Sequence, residues 1–128
     1  MINKTTDLTT KKTVVIGASP NVERFSNKAV KLLREFEIPV VAVGFRPGSI
    51  GDVEIETGRP RVKNVHTVAL YLGPAKQQIL YDYILDLKPK RIIFNPGTEN
   101  PELMEMADEQ GIEIVENCLL VMLRSHLF

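Results

Sequence analysis

The sequence predicts an α/β fold, one doubly wound parallel sheet of about five strands with helices on both faces. Three observations predict it. Short apolar, largely β-branched runs recur along the chain, as strands buried on both faces require. Segments with apolar residues at helical spacing separate them. Clusters of Gly, Pro, Ser and Asn punctuate the junctions.

Met1–Thr10 is polar and lacks an apolar run, so residues 1–11 are expected to be a flexible tail and residues 12–128 a single domain of a cytoplasmic protein. Thr13–Ile16 (TVVI) is the first strand, closed by Gly17. Phe25, Ala29, Leu32, Leu33 and Phe36 share a helical face, predicting a helix from about Ser26 to Glu37 with Ser26 as N-cap. Pro39 opens the second strand, which runs through Val43 to the turn GFRPG. Ile50–Val62 alternates weakly around Gly51, Gly58 and Pro60, as an irregular hairpin or loop would. Thr67–Leu72 is the third strand, closed by Gly73-Pro74. Ile79, Leu80, Tyr83, Ile84 and Leu87 mark a helix that Lys88-Pro89 stops. Arg91–Phe94 is the fourth strand. Leu103, Met106, Ala107 and Gln110 mark a short helix with Gly111 as its C′ residue. Glu113–Val115 lies in the fifth strand, and a last helical segment begins near Cys118.

Composition narrows the function. The 128 residues are 44% hydrophobic and 25% charged, the make-up of one ordinary globular domain. Sixteen basic residues balance sixteen acidic ones, which argues against a nucleic-acid binder that relies on a broad positive field. A small anionic ligand needs only local donors. Cys118 is the sole cysteine, excluding an internal disulfide and a multi-cysteine zinc site. His66 and His126 lie far apart without a ligand pattern, so no metal is expected. No stretch approaches the roughly 20 apolar residues of a membrane span. Zero net charge and buried strands permit a small homo-oligomer.

Ligands of a doubly wound sheet bind beyond the carboxyl ends of its strands. After the first strand come Gly17, Ala18, Ser19, Pro20 and Asn21. Gly17 allows a sharp turn and a close backbone approach, and the Ser19 hydroxyl can donate to a phosphate oxygen. The following helix N-terminus favours an anion, and Arg24 and Lys28 can add charge. The loop is neither G-x-G-x-x-G nor a P-loop. After the second strand, the Asp or Glu that would hold the ribose of NAD is missing. Arg46 stands there instead, suited to a ribose phosphate, with Phe45 or Pro47 to lie against an adenine; a solvated surface arginine is the other reading. Leu72, Gly73 and Pro74 either leave room for a ligand or simply start a helix with proline in its first turn. In Asn95–Asn100, Thr98 or Asn100 can cap the next helix, and Glu99 is the only acid, so no acid/base pair exists there. Cys118 has no basic partner nearby in sequence and reads as a small buried apolar residue.

The segments VVIGASPNVERFSNKAV (Val14–Val30), the Pro47-Gly48 turn, TVALYLGPAKQ, RIIFNPGTENPEL and ENCLLVML follow one another over most of the chain. In this order they resemble the small stand-alone CoA-binding domain proteins, relatives of the N-terminal domain of the succinyl-CoA synthetase alpha subunit. The resemblance implies a Rossmann-like fold and non-covalent binding of CoA or an acyl-CoA. Gly17, Ala18 and Ser19 would hold the pyrophosphate, with Pro20, Arg24 and Asn27 in the same segment. Phe45, Arg46, Pro47 and Gly48 would flank the adenine and the 3′-phosphate. Leu72, Gly73 and Pro74 would line the path of the pantetheine arm. Two departures stand out. Val43-Gly44-Phe45 replaces the Val-Asn-Pro of many members, and Ser49 stands where the synthetase has a lysine. The synthetase's phosphohistidine belongs to a second domain absent from these 128 residues, so no ligase chemistry is implied.

The expected function is therefore a small nucleotide-ligand binding protein with no catalytic machinery of its own and no nucleic-acid or membrane partner. The alternatives are a minimal NADP-dependent reductase with Arg46 on the 2′-phosphate, or an interaction protein with a vestigial nucleotide site. Tyr71, Tyr81 and Tyr83 are the reductase's only tyrosine proton donors, and all three lie in strand or core-like helix positions.

Overall fold

The computed structural model describes residues 7–128. Residues 1–6, part of the expected tail, lie outside the described residues. Leu8–Thr10 form a 3₁₀ turn whose Thr9 N–H donates to the Asp7 carboxylate at 3.0 Å.

The strands are β1 (Thr13–Ile16), β2 (Val40–Val43), β3 (Gly48–Ile50), β4 (Val53–Glu56), β5 (Thr67–Leu70), β6 (Arg91–Phe94) and β7 (Glu113–Glu116). They form one seven-stranded sheet in the order β3-β4-β2-β1-β5-β6-β7, parallel throughout except for the β3–β4 pair. The count is seven rather than five because the segment expected as an irregular hairpin or loop forms two strands, starting at Gly48 of the expected turn, that join the sheet. Gly51, at φ +59°, turns the chain between β3 and β4, and β4 then pairs with β2 through Ala42↔Ile55 and Val43↔Glu56. Ile50 and Ile55 of this hairpin are buried and Val53 packs half-buried beside them, so its alternation is weak.

Strand side chains alternate between two apolar layers. Val14, Ile16, Val68, Leu70, Ile92 and Phe94 form rows on one face, while Val15, Ala42, Ala69 and Ile93 form rows on the other. Helix α1 (Phe25–Glu35) and helix α5 (Leu119–Arg124) cover the second face with Val30, Leu33, Leu119 and Leu123. Two shorter helices, α2 (Pro74–Gln77) and α3 (Tyr81–Asp86), precede α4 (Pro101–Glu109); Ile84 of α3 and Leu103 and Ala107 of α4 cover the first face. Helices thus lie on both faces.

Three local expectations shift. α1 begins at Phe25, with Arg24 as N-cap, and Ser26 is buried in its first turn. The turn Asn21–Arg24 draws the chain into the helix one step early through Arg24 N–H to Asn21 O, 3.1 Å. The single helix expected around Ile79–Leu87 is broken. Gln77 reaches back under Leu72, and a 3₁₀ turn at Gln78–Leu80 separates α2 from α3. β5 stops at Leu70 because Gly17, at φ +99°, turns β1 away from it. β1 continues to β2 on one side and its other neighbour is β5, so the sheet's switch point lies between β1 and β5.

Candidate ligand-binding site

A cleft of about 970 Å³ opens at the carboxyl ends of β2, β1, β5 and β6. Its floor depends on two glycines. A Cβ on Gly17 would lie 2.9 Å from the Tyr71 carbonyl, so the loops after β1 and β5 meet backbone to backbone. A Cβ on Gly44 would lie 2.2 Å from the Ala18 carbonyl oxygen, so the loop after β1 also rests on the chain leaving β2.

Gly17 and Ala18 N–H both donate to Val43 O at 2.9 Å, so their backbone donors hold the loop itself. The N–H groups of Ser19, Phe25 and Ser26 have no partner among the described residues. Those of Phe25 and Ser26 open α1, whose N-cap Arg24 makes no side-chain capping bond. An uncapped helix N-terminus is a positive pole with free donors. Here it faces the cleft, together with Arg24 and Arg46. Asn27 is buried beneath the loop and donates from Nδ2 to Ser19 O at 2.9 Å, while its Oδ1 has no partner among the described residues. It positions the loop rather than lining the cleft.

The expected site residues divide accordingly. Gly17, Ala18, Ser19, Pro20, Arg24, Phe45, Arg46, Leu72 and Gly73 all line the cleft. Asn27, Pro47, Gly48 and Pro74 do not. Gly48 opens β3 and packs under Pro20, where a Cβ would come within 2.9 Å of the ring. Pro74 is the first residue of α2, with Gly73 as N-cap. Lys28 leans toward the Phe25 ring, 5.9 Å from its centre, and lies off the cleft wall.

Sequence reasoning missed Phe25, Tyr71, Lys76, Ile79, Pro96 and Gly97, which also line the cleft, as do Asn21, Ser26, Ala75 and Thr98. Phe25 and Ile79 fit a helical period and read as core, yet they are 68% and 66% exposed. With Phe45, 58% exposed, they are large apolar side chains left on the wall of a cleft that also carries Arg24 and Arg46.

The β5 and β6 loops are locked by a buried polar network. Gln77 Nε2 donates to Leu72 O and Thr98 O, both at 2.8 Å, and its Oε1 accepts from Asn100 Nδ2 at 2.9 Å. Asn100 also caps α4 by accepting from Glu102 and Leu103 N–H. Asn95 Nδ2 donates to Leu70 O, and its Oδ1 accepts the first N–H of α5. Thr98 Oγ donates to Asn95 O, so Asn100 rather than Thr98 is the cap. Glu99 accepts from Gly97 N–H and does not line the cleft.

The tyrosine hydroxyls are engaged or enclosed. Tyr81 accepts from Asn100 and donates to Glu102, and Tyr83 donates to Pro60 O. The Tyr71 hydroxyl is buried without a partner among the described residues, and desolvation pushes its pKa up. Cys118 is half-buried, packs on the second apolar layer and is the N-cap of α5. Among the described residues no three His, Cys, Asp or Glu side chains cluster as metal ligands.

A mostly parallel sheet, a switch-point cleft and an open helix N-terminus beside two arginines define a Rossmann-like domain with its cleft where such sheets take ligands. More narrowly, the chain belongs to the CoA-binding domain family, whose model matches residues 11–124. A crystal structure of an uncharacterized protein is 45% identical, with a TM-score of 0.90 over 92% of this chain and 98% of that one. A hypothetical protein from Pyrococcus horikoshii OT3 is 25% identical, with a TM-score of 0.80 over 91% of this chain and 83% of its own. A Thermus thermophilus structure at 22% identity, covering 92% of this chain and 90% of its own with a TM-score of 0.80, shares the fold. Comparison with curated proteins gives no match.

Proposed function

We propose that this chain is a cytoplasmic binding module that holds CoA or an acyl-CoA non-covalently in the cleft, with no chemistry of its own. The observation that carries the reading is the charge arrangement inside a CoA-binding domain fold. The open α1 N-terminus, Arg24 and Arg46 gather at the β1–β2 end of a cleft that is apolar or neutral over much of its remaining wall. CoA has this polarity, with its phosphates at one end and an uncharged arm at the other.

Ser19 and the first N–H groups of α1, with Arg24, take the pyrophosphate. Gly17, Ala18 and Pro20 shape that loop, Asn27 holds it from beneath, and Gly48 supports Pro20. Arg46 takes the 3′-phosphate, and the adenine lies against Phe45, with Phe25 lining the same cleft. Pro47 sets the path of the Arg46 turn. Leu72 and Gly73 line the pantetheine arm, and Pro74 starts the helix that walls it. No helix of the described residues is long and apolar enough to cross a membrane.

Calorimetric titration of ligand-stripped protein with CoA, dephospho-CoA and NADP tests the reading. A charge-assisted phosphate contact is worth about 1.5–3 kcal/mol, or roughly 10- to 150-fold in affinity. Arg46→Ala is therefore expected to weaken CoA by about that factor and dephospho-CoA by much less. Equal losses would remove Arg46 from the 3′-phosphate. Binding of NADP alone would favour the reductase, and binding of none of the three would favour an interaction protein with a vestigial site.

A further inference from the structure

Resting on the CoA reading above, we propose that the far end of the cleft takes a short hydrocarbon acyl group, so that the ligand is an aliphatic acyl-CoA rather than free CoA. The sheet order sets the direction. The loops after β2, β1, β5 and β6 stand in a row, one strand spacing apart. Arg46, Arg24 and the open α1 N-terminus occupy the first two places and attract the phosphates. The uncharged arm then runs past Leu72 and Gly73, and the sulfur emerges between α2 and the loop after β6.

The wall there is apolar. Ala75 and Ile79 stand on one side, with Pro96 and Gly97 on the other. Ile79 is a large side chain left 66% exposed on the cleft wall, and an acyl chain against it would take both surfaces out of water. The neutral polar groups nearby are committed or enclosed: the Tyr71 hydroxyl has no partner among the described residues but is buried against the second apolar layer, and the others are hydrogen-bonded. The Gln77 amide serves Leu72 and Thr98, the Thr98 hydroxyl serves Asn95, and Gly97 N–H serves Glu99. A hydroxy-, keto- or amide-bearing acyl group would therefore lose hydrogen bonds to water without replacement. Lys76 is exposed on this wall, and Arg59 lies behind it, held by its hydrogen bond to Ile79 O at 2.9 Å; Lys76 is the cation that lines the cleft at this end. It defines the competing outcome, a carboxylate-ended acyl group.

The experiment titrates the full chain with CoA and with non-hydrolysable thioethers of it, S-ethyl, S-butyl and S-(3-carboxypropyl). A methylene removed from water adds about fourfold in affinity, so S-butyl-CoA is expected to bind roughly 15-fold tighter than S-ethyl-CoA. In Ile79→Ser that ratio is expected to fall at least threefold, because the covered side chain is gone. Equal affinities for CoA, S-ethyl- and S-butyl-CoA would overturn the proposal. So would tightest binding of the carboxypropyl ligand, lost in Lys76→Gln. Binding of CoA with no gain from alkyl groups refutes the acyl site alone, whereas binding of none of these ligands refutes the CoA reading beneath it.

Discussion

Gly44→Ala probes the tightest backbone approach in the site. The added Cβ would stand 2.2 Å from the Ala18 carbonyl oxygen and 3.1 Å from Ile55 Cγ2. Ordinary carbon contacts begin near 3.5 Å, so the Ala18 carbonyl must retreat by about 1 Å. It has little freedom to do so, because Gly17 and Ala18 N–H are both tied to Val43 O at 2.9 Å. Overpacking of this kind costs about 1–3 kcal/mol, and losing one of those two hydrogen bonds adds about 1 kcal/mol. The sum is about 2–4 kcal/mol, which for a domain of this size lowers Tm by roughly 6–20 °C. The displaced loop carries Ser19, so CoA affinity should also fall about tenfold or more when measured below the melting transition. Gly58→Ala is the control, since a Cβ there meets nothing within 4 Å, and it should leave both readouts near wild type. If Gly44→Ala melted and bound CoA like Gly58→Ala, the loop after β1 would not rest on Gly44, and the account of the cleft floor would fail.

Gln77→Leu should destabilise the fold by about 2–4 kcal/mol in urea, because it strips partners from two buried carbonyls and from Asn100; a loss under about 1 kcal/mol would mean the network is not a brace. His66 has its pKa pushed down to about 4, first by desolvation and then by Arg91, Lys11 and Lys90. Its neutral form is favoured in the fold, so the unfolded chain takes up the proton first as pH falls. Stability should thus be complete above the ordinary histidine value of about 6.5 and decline toward pH 4, a slope that His66→Gln should flatten. An unchanged slope in the variant would assign it to other groups. Phe128 is buried with its ring 4.3 Å from the Arg91 guanidinium, and Phe128→Ala should cost about 3 kcal/mol by thermal unfolding. A change under about 1 kcal/mol would show that this ring contributes little to the core.

Much of the fold was legible because it is written in local chemistry. TVVI, VVAV and RIIF became β1, β2 and β6, since an uninterrupted β-branched run between turn residues has few other solutions. Asn100 caps α4 and Gly111, at φ +76°, ends it, as cap and C′ preferences require. The β3–β4 region was legible only as an irregular hairpin or loop over Ile50–Val62, and not as part of the sheet. Its pairing with β2 is made across a gap in sequence, and it buries only Ile50 and Ile55 fully, with Val53 half-buried beside them. Ser26 had the composition of a cap, but the Asn21–Arg24 turn set the helix start. Phe25 and Ile79 matched a helical period, and period alone cannot say whether a face meets a core or a cleft.

By itself the sequence determined the α/β rhythm, the small-residue loop after β1 and the arginine in place of an acid after β2. These depend on neighbours a few residues apart. Only the tertiary structure decided that Gly44 must be glycine and that Gly17 and Ala18 spend their N–H groups on Val43. It also decided that Gly48 supports Pro20 and that Phe25, Phe45 and Ile79 line one cleft. The physical reason is strand order. Packing β1 between β2 and β5 brings Ala18 against Gly44 and Gly17 against Tyr71, residues far apart in the chain, and no local pattern records which loops will meet.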